Sequence, residues 1–165
     1  MRVPIRKSGK YTNIKPDPYI TKDKFIELKN KLEKLKARKA PAIAEVKRLA
    51  LDGDFSENAA YQIAKGRLRS LNERILEIEE HLKQAQIIKP RGSSGQVGLG
   101  NRVTVAVSGQ KKTYLILGSS ETNPYKGIIS HNSPLGQALI GHKIGERVKV
   151  KLAKKEVEYK IIRIE

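Results

Sequence analysis

The sequence predicts an α+β protein in which a long antiparallel helical hairpin is followed by a small domain of strands and one short helix. Two segments whose apolar residues recur with heptad spacing flank a short turn at residues 53–58. Beyond a turn-rich break at residues 90–95, apolar and polar residues alternate instead. Helices repeat every 3.6 residues and strands every 2.0, so the change of period marks a change of secondary structure.

The first arm of the hairpin begins after Thr21, whose side chain suits a helix N-cap. Apolar residues follow three or four positions apart, which is the spacing of a coiled-coil seam. They are Phe25, Leu28, Leu32 and Leu35, then Ile43, Val46, Leu49 and Ala50. Pro41 lies within this pattern and removes one backbone hydrogen bond, so we expect a bend there and a helix that continues to about Asp52.

The second arm follows Gly53, a residue type that readily adopts the left-handed conformation closing many helices. Its apolar seam consists of Tyr61, Ala64, Leu68, Leu71, Ile75, Ile78 and Leu82. The short connection makes the two arms antiparallel. Arms of about 30 residues, at about 1.5 Å per residue, predict a rod about 45 Å long with the turn at its far end.

The C-terminal part is predicted to be a small sheet with one short helix. The expected strands and turn are residues 103–107, a turn at 109–112, and residues 114–117, 148–152 and 157–164. Ser133 suits an N-cap, Pro134 suits the first helical position and Gly141 suits the end of the helix.

These patterns divide the chain into four parts. We expect a tail at residues 1–19, the hairpin at 20–90, a linker at 91–96 and the C-terminal domain at 97–165. The tail has five basic residues opposed only by Asp17, three prolines and no hydrophobic period, so the sequence predicts a flexible basic segment.

Composition limits the classes of function. The chain has 165 residues with 34 Lys+Arg against 17 Asp+Glu, a net charge of +17, and no cysteine. Disulfides and thiolate metal sites are therefore excluded. No apolar run is long enough for a membrane span, so we expect a cytoplasmic protein that does not contact the membrane. The charge favours nucleic acid or an acidic protein as partner, the alternative being a generally basic surface.

Two carboxylates, Asp54 and Glu57, occupy the predicted turn of this basic chain. One interpretation is a capping box, with Asp54 as N-cap of the second helix and Glu57 three residues later. The other is a site for a hard cation such as Mg²⁺, since both carboxylates would lie on one side of the first turn. Two carboxylates are fewer ligands than Mg²⁺ requires, so the remaining ligands would come from elsewhere.

Basic residues gather on both arms close to the turn. They are Lys47 and Arg48 on the first arm and Lys65, Arg67 and Arg69 on the second. We call these five residues the basic collar. They could follow a phosphate backbone, or they could simply form a solvated helix face.

Two separate segments resemble one protein family. Residues 53–61 are similar to the hairpin-tip signature of the bacterial Gre transcript cleavage factors, and residues 61–62 and 65–69 look closer to its GreB branch. Residues 129–141 are similar to the most recognisable segment of the C-terminal domain of that family. The resemblance covers residues 19–165, with both motifs in the family's order.

The resemblance implies an FKBP-like C-terminal domain that docks at the rim of the secondary channel of RNA polymerase. The docking residues implied for this chain are Ser133, Pro134, Leu135 and Gly136. The hairpin would reach the active centre, where Asp54 and Glu57 would help hold a second Mg²⁺ beside the carboxylates of the polymerase and orient a water. Mg²⁺ is expected only in the complex, with none tightly bound to the isolated chain.

The resemblance also implies contacts for the rest of the tip. Phe55, Ser56 and Asn58 would touch the polymerase, and the basic collar would hold the extruded 3′ end of the RNA. The partners expected are thus RNA polymerase and nascent RNA, with DNA as a further candidate, and we expect the chain to be a monomer.

The function implied is that of a transcription elongation factor. It would stimulate endonucleolytic cleavage of backtracked RNA by the polymerase itself, so the chain would be a cofactor rather than an enzyme. The alternatives are a Gre-like regulator that inhibits polymerase and a basic RNA-binding module without a cleavage role. An autonomous nuclease is disfavoured because His81, His131 and His142 are scattered along the sequence.

Overall fold

The computed structural model describes residues 17–51, 58–89, 95–152 and 155–165. The first half consists of β1 (Tyr19–Ile20), α1 (Lys22–Leu51), α2 (Ala59–Gln84) and β2 (Gln86–Ile87). The second half consists of β3 (Arg102–Val107), β4 (Gln110–Leu117), β5 (Ile128–Ser130), α3 (Pro134–Leu139), β6 (Arg147–Leu152) and β7 (Lys155–Ile164). Single 3₁₀ turns lie at Ser119–Glu121 and Pro124–Lys126. The predicted α+β fold class, a long helical hairpin before a small sheet domain, is confirmed.

Helices α1 and α2 pack along the predicted seam. Leu28 and Leu35 of α1 are buried with Ile75 and Ile78 of α2, and Ile20 closes the base of this cluster with no exposed surface. Each such side chain contributes about 1.5–3 kcal/mol by leaving water. The half-buried members around them are Phe25, Leu32, Leu71, Leu82 and Ala85.

Helix α1 begins where the sequence predicts. The Lys24 amide donates to the Thr21 hydroxyl at 3.2 Å, which confirms Thr21 as the residue that caps the helix. The helix runs without interruption through Pro41 to Leu51. The bend expected at Pro41 stays a prediction.

A short parallel pair of strands closes the base of the hairpin. Tyr19 is opposite Gln86 and Ile20 is opposite Ile87, with the Gln86 amide donating to the Pro18 carbonyl at 2.7 Å. The end of the predicted tail is thus corrected: Pro18 and Tyr19 are held against the second arm by backbone pairing, and the Asp17 carbonyl lies 3.1 Å from Nε2 of His81 on the same arm. Residues 1–16 lie outside the described residues, and the other domain boundaries stay predictions.

The C-terminal sheet has the strand order β5-β4-β3-β7-β6, with β4 and β5 parallel and the other pairs antiparallel. Its core includes Val103, Val105, Ile116 and Ile161, all with no exposed surface, and α3 adds Leu139 to the same cluster. Strand β5 was not predicted, because three residues are too short to show a period.

The hairpin between β3 and β4 corrects the predicted turn at residues 109–112. The turn is formed by Ser108 and Gly109, whose φ angles of 49° and 78° both lie in the left-handed region. A two-residue turn of this kind matches the twist of the flanking strands. Strand β4 therefore starts at Gln110, directly opposite Val107.

Polar contacts join the hairpin base to the C-terminal domain. The Asp17 carboxylate accepts hydrogen bonds from the Ser119 amide and hydroxyl, both at 2.8 Å, and lies 3.3 Å from Nδ1 of His131. The amide and hydroxyl of Thr21 donate to the Glu121 carboxylate at 2.7 and 2.5 Å. We call these contacts the base clasp.

The two parts also approach each other closely at Gly118. A Cβ at this position would lie 1.7 Å from the Tyr19 carbonyl oxygen, a separation that backbone atoms cannot accept. The ring of Tyr19 in turn meets the ring of His131 edge to face, with centroids 5.4 Å apart. The base clasp therefore rests on close packing as well as on hydrogen bonds.

The base clasp should make the stability of the protein depend on pH. Burial raises the pKa of Asp17, but hydrogen bonds from Ser119 and Tyr19 outweigh it and hold that pKa below its ordinary value. Because the pKa of Asp17 is lower in the folded state than in the unfolded state, its ionised form stabilises the folded protein. This stabilisation is fully present above the ordinary pKa and is lost as the pH falls through the lowered pKa. Asp17→Asn should therefore lower the urea midpoint at pH 7, and the difference from wild type should shrink below about pH 4.

Glu33→Gln is the control, because Glu33 is an exposed carboxylate in the middle of α1. It should change the midpoint little at either pH. A difference between Asp17→Asn and wild type that stayed constant down to pH 3 would contradict the assigned role of the Asp17 charge.

Candidate functional site

The acidic tip is only partly covered by the structure. Asp54, Phe55, Ser56 and Glu57 lie outside the described residues, so their predicted roles stay predictions. The described residues nearest to them are Leu51 at the end of α1 and Asn58 before α2. What the structure establishes is how the two arms are held where the tip begins.

Asn58 connects the two arms at this point. Its side-chain Oδ1 accepts a hydrogen bond from the Tyr61 amide at 2.9 Å, and its Nδ2 donates to the Leu49 carbonyl at 2.9 Å. One side chain thus satisfies a free amide at the start of α2 and a free carbonyl near the end of α1. We call this pair of hydrogen bonds the tip clasp.

The tip clasp corrects the capping-box interpretation. Helix α2 starts at Ala59 and its N-cap is Asn58, so Asp54 is not the N-cap of this helix. Asparagine caps about as well as aspartate, and its amide group also supplies a donor that a carboxylate lacks. The signal in the sequence was an asparagine directly before two alanines and the first seam residue, Tyr61.

The basic collar is exposed, and its members are distributed around the hairpin. Lys65 and Arg69 are four residues apart and therefore share one side of α2, whereas Arg67 lies on the other side of the buried Ala64. Lys47 and Arg48 are exposed near the end of α1. The predicted collar is thus present as exposed charge on more than one face.

Two members of the collar make specific contacts. The Lys65 ammonium lies 5.8 Å from the centre of the Tyr61 ring, within the range of a cation–π contact. The Arg69 guanidinium is 3.0 Å from Glu73, which offsets part of its charge. The charged members of both pairs are exposed to solvent, so these contacts contribute little to stability.

The predicted docking residues have local structural roles. The Ser133 hydroxyl donates to the Ser130 carbonyl at 2.6 Å and accepts from the Gly136 amide at 3.0 Å, which caps α3. A Cβ on Gly136 would lie 2.1 Å from the Ser130 carbonyl oxygen, so only glycine fits there. Leu135 packs against the C-terminal core, while Pro134 is exposed. Their docking role stays a prediction.

The three histidines occupy separate places. His81 lies 3.1 Å from the Asp17 carbonyl, and His131 belongs to the base clasp. His142 is hydrogen-bonded to Glu146 at 2.5 Å, and this bond lowers the pKa of the Glu146 carboxyl. Within the described ranges, no group of three or more His, Cys, Asp or Glu residues could hold a metal ion.

A helix that crosses a bilayer must be both long and predominantly apolar. Of the helices in the described ranges, none is long and apolar enough to cross a bilayer.

Comparison with known proteins identifies the family. The family model "Transcription elongation factor, N-terminal" matches residues 18–87, and the model "Transcription elongation factor, GreA/GreB, C-term" matches residues 92–165. Together they cover nearly the whole of the described hairpin and sheet domain. The chain therefore belongs to the GreA/GreB family of transcription elongation factors.

Two individual relatives agree with the family models. A transcription elongation factor GreA of Macrococcus caseolyticus is 38% identical over 149 residues, which are 88% of this chain and 94% of that protein. A GreA of Nitratiruptor is 34% identical over 143 residues, 85% of this chain and 88% of that protein. The solved structure of GreA factor homolog 1 of Thermus thermophilus is 27% identical, covers 88% of this chain and 97% of that chain, and has a TM-score of 0.40.

The tip clasp can be tested by substitutions that remove its two bonds separately. Asn58→Asp keeps the acceptor for the Tyr61 amide but loses the donor to Leu49, whereas Asn58→Ala loses both. Loss of a capping side chain costs about 0.5–2 kcal/mol, so Asn58→Ala should lower the free energy of unfolding by about that amount. Asn58→Asp should fall between Asn58→Ala and wild type in urea denaturation.

Asn30→Ala serves as control, since Asn30 is exposed within α1 and alanine is the better helix former. This variant should be at least as stable as wild type. If Asn58→Ala unfolded at the same urea concentration as wild type, the tip clasp would contribute nothing to the hairpin.

Proposed function

We propose that this chain is a transcript cleavage factor. It binds RNA polymerase through the secondary channel and stimulates the endonucleolytic cleavage of backtracked nascent RNA by the polymerase, which releases 3′ fragments and rescues arrested complexes. The chain is then a cofactor of the polymerase and not itself the nuclease. Membership of the GreA/GreB family supports this function, and the observation that carries it is a long hairpin whose connecting residues 53–58 include Asp54 and Glu57.

The length of the hairpin supports this role, because it separates the turn from the C-terminal domain. The 30 residues of α1 extend about 45 Å at about 1.5 Å per residue. The seam holds the arms together, the tip clasp joins them at one end, and the base clasp fixes the other end to the C-terminal domain. If the C-terminal domain docks at the rim of a channel, the hairpin can therefore carry residues 53–58 far inside that channel.

Asp54 and Glu57 are the residues that act at the far end. Their carboxylates are the hard oxygen ligands that Mg²⁺ prefers, but they fill only part of its coordination shell. We propose that they hold the ion jointly with the polymerase, so that the site is complete only in the complex. A metal held in this way would lower the pKa of a bound water and stabilise charge on the phosphate under attack.

The rest of the tip and the collar position the substrate. Phe55, Ser56 and Asn58 contact the polymerase near its active centre, and the collar binds the phosphates of the extruded RNA 3′ end. Charge on more than one face of the hairpin suits a nucleic acid strand that runs alongside it. At the other end, Pro134 is the exposed member of the docking residues and therefore the one available to the polymerase.

The chain is assigned to the GreA/GreB family and to neither of the two branches in particular. The similarity to GreB concerns only residues 61–62 and 65–69, whereas the relatives described above carry the name GreA. Both names belong to the same family model for the C-terminal domain. We propose a single chain as the active form, acting on RNA polymerase and nascent RNA.

A cleavage assay tests the proposed function. Wild-type protein added to a stalled, backtracked elongation complex should release short 3′ RNA fragments. Asp54→Ala and Glu57→Ala should each reduce this stimulation by about 100-fold or more. Each variant loses a ligand of the proposed metal, which would stabilise the transition state by several kcal/mol. Glu77→Gln, an exposed carboxylate further along α2, should stimulate like wild type.

Competition experiments should accompany this assay. Both tip variants should still compete with wild type for the polymerase, since docking is a separate function of the C-terminal domain. If wild-type protein slowed the polymerase without releasing fragments, the inhibitory alternative would be correct. If both tip variants stimulated fully, the assigned roles of the carboxylates would be wrong.

The two sides of α2 can be compared by charge-matched substitutions. Lys65→Gln and Arg67→Gln each remove one cation, but from opposite sides of the seam. If RNA follows one side, one variant should lose stimulation by about tenfold at elevated salt while the other changes little. Equal behaviour of the two variants at all salt concentrations would exclude a one-sided path for the RNA.

A further inference from the structure

A row of cations crosses the solvent side of the C-terminal sheet. Strand register places Arg147 of β6 opposite Lys160 of β7, Lys160 opposite Ala106 of β3, and Ala106 opposite Lys111 of β4. Directly paired residues of neighbouring strands point to the same side of a sheet. Arg147, Lys160 and Lys111 are all exposed, so this side is the one that faces water.

Two further lysines extend the row along β6. Lys149 and Lys151 alternate with the buried Val148 and Val150, so they lie on the same side as Arg147. We call Lys111, Arg147, Lys149, Lys151 and Lys160 together the basic face.

The carboxylates of the sheet only partly offset this charge. Glu158 lies 3.0 Å from Arg147, and Glu156 is opposite Lys151 in the register. For the ranges that the structure describes, no carboxylate lies within ion-pair distance of Lys111 or Lys160. The basic face therefore keeps a net positive charge.

Stability of the sheet does not account for this arrangement. Like charges directly opposite each other, such as Arg147 and Lys160, destabilise a sheet. Lysines on the edge strand β6 can be explained as protection against pairing with another chain. That explanation fails for Lys160 and Lys111, because β7 and β4 are interior strands. Protection of the sheet edge therefore leaves the cations of these two interior strands unexplained.

The small residues between the cations indicate what kind of partner fits. Ala106 lies between Lys160 and Lys111, and beside it the hydroxyls of Thr104 and Thr113 are hydrogen-bonded at 3.0 Å. A protein partner would need large apolar or aromatic side chains at the centre of the contact, and these rows contain none. A single-stranded nucleic acid would need aromatic rings for its bases, and these are also missing from the rows.

We propose that the basic face binds the phosphate backbone of double-stranded nucleic acid without reading its sequence. Affinity for a duplex backbone comes mainly from lysine and arginine and requires no apolar centre. Strands lie about 4.8 Å apart, so three strand spacings place Arg147 about 14 Å from Lys111. That span is close to the width of about 12 Å of the DNA major groove, so the two ends of the row can meet phosphates on both sides of one groove.

The test uses the full chain and a fluorescent 30-base-pair DNA duplex of arbitrary sequence. The double variant Lys111→Gln/Lys160→Gln should bind about tenfold more weakly than wild type at moderate salt. The slope of log K against log salt should also become shallower by about two, since each phosphate contact contributes about 0.9. The charge-matched control Lys29→Gln/Lys34→Gln removes two exposed cations from α1 and should lose much less affinity.

Stability measurements separate lost binding from lost folding. Removing the charge of Lys160 relieves its repulsion from Arg147, so the double variant should have a Tm equal to or above that of wild type. Lys160→Arg keeps the charge and should keep the affinity. We therefore expect the double variant to bind the duplex more weakly without a lower Tm, and Lys160→Arg to bind it like wild type.

Three outcomes would overturn the proposal. Equal loss of affinity in the double variant and the control would mean that only net charge matters. If the double variant lost more affinity for single-stranded poly-dT than for the duplex, the duplex would be excluded as the partner. Unchanged duplex binding, with weakened binding to RNA polymerase, would assign the basic face to an acidic protein surface.

Discussion

The hairpin, on which the reach of this protein depends, is held by a single apolar seam between two long helices. A hairpin has no core in the ordinary sense, because each helix can bury only the stripe that faces its partner. The buried cluster of this seam, which includes Ile20, Leu28 and Ile75, is concentrated at the base. Towards the tip, Ala64 is the buried residue of α2, and a methyl group removes little apolar surface from water. The arms are therefore held strongly at one end and more weakly at the other.

Polar clasps compensate for this uneven burial. Asn58 joins the arms where burial is weakest, and at the base Asp17 and Thr21 join the hairpin to the C-terminal domain. A rod about 45 Å long magnifies any error at its base, because a small rotation there displaces the far end by many ångströms. Contacts at both ends of the hairpin limit such a displacement. The close approach of Gly118 to Tyr19 serves the same purpose at the base.

Local patterns predicted the helices and most of the strands, whereas contacts distant in sequence were missed. The heptad seam, the Thr21 cap and the Ser133-Pro134 start of α3 are each encoded within a few residues, so periodicity and capping rules found them. The bonds between Asp17 and Ser119 join residues 102 positions apart, and no local pattern signals them. Asn58 was missed as N-cap because Asp54 offered an equally good acceptor, and only the observed start of α2 decides between them.

The net charge of +17 raises the question of how such a chain stays folded and acts selectively. The hairpin extends about 45 Å, so charges on its distant parts are farther apart than the Debye length of about 8 Å and are largely screened from one another at physiological salt. The same charges still attract polyanions at long range and so accelerate encounter with nucleic acid. Attraction of this kind selects no particular site, because every phosphate backbone offers it. Under the function proposed above, selectivity comes from the geometry of the hairpin, which lets Asp54 and Glu57 reach only a partner with a channel deep enough to admit it.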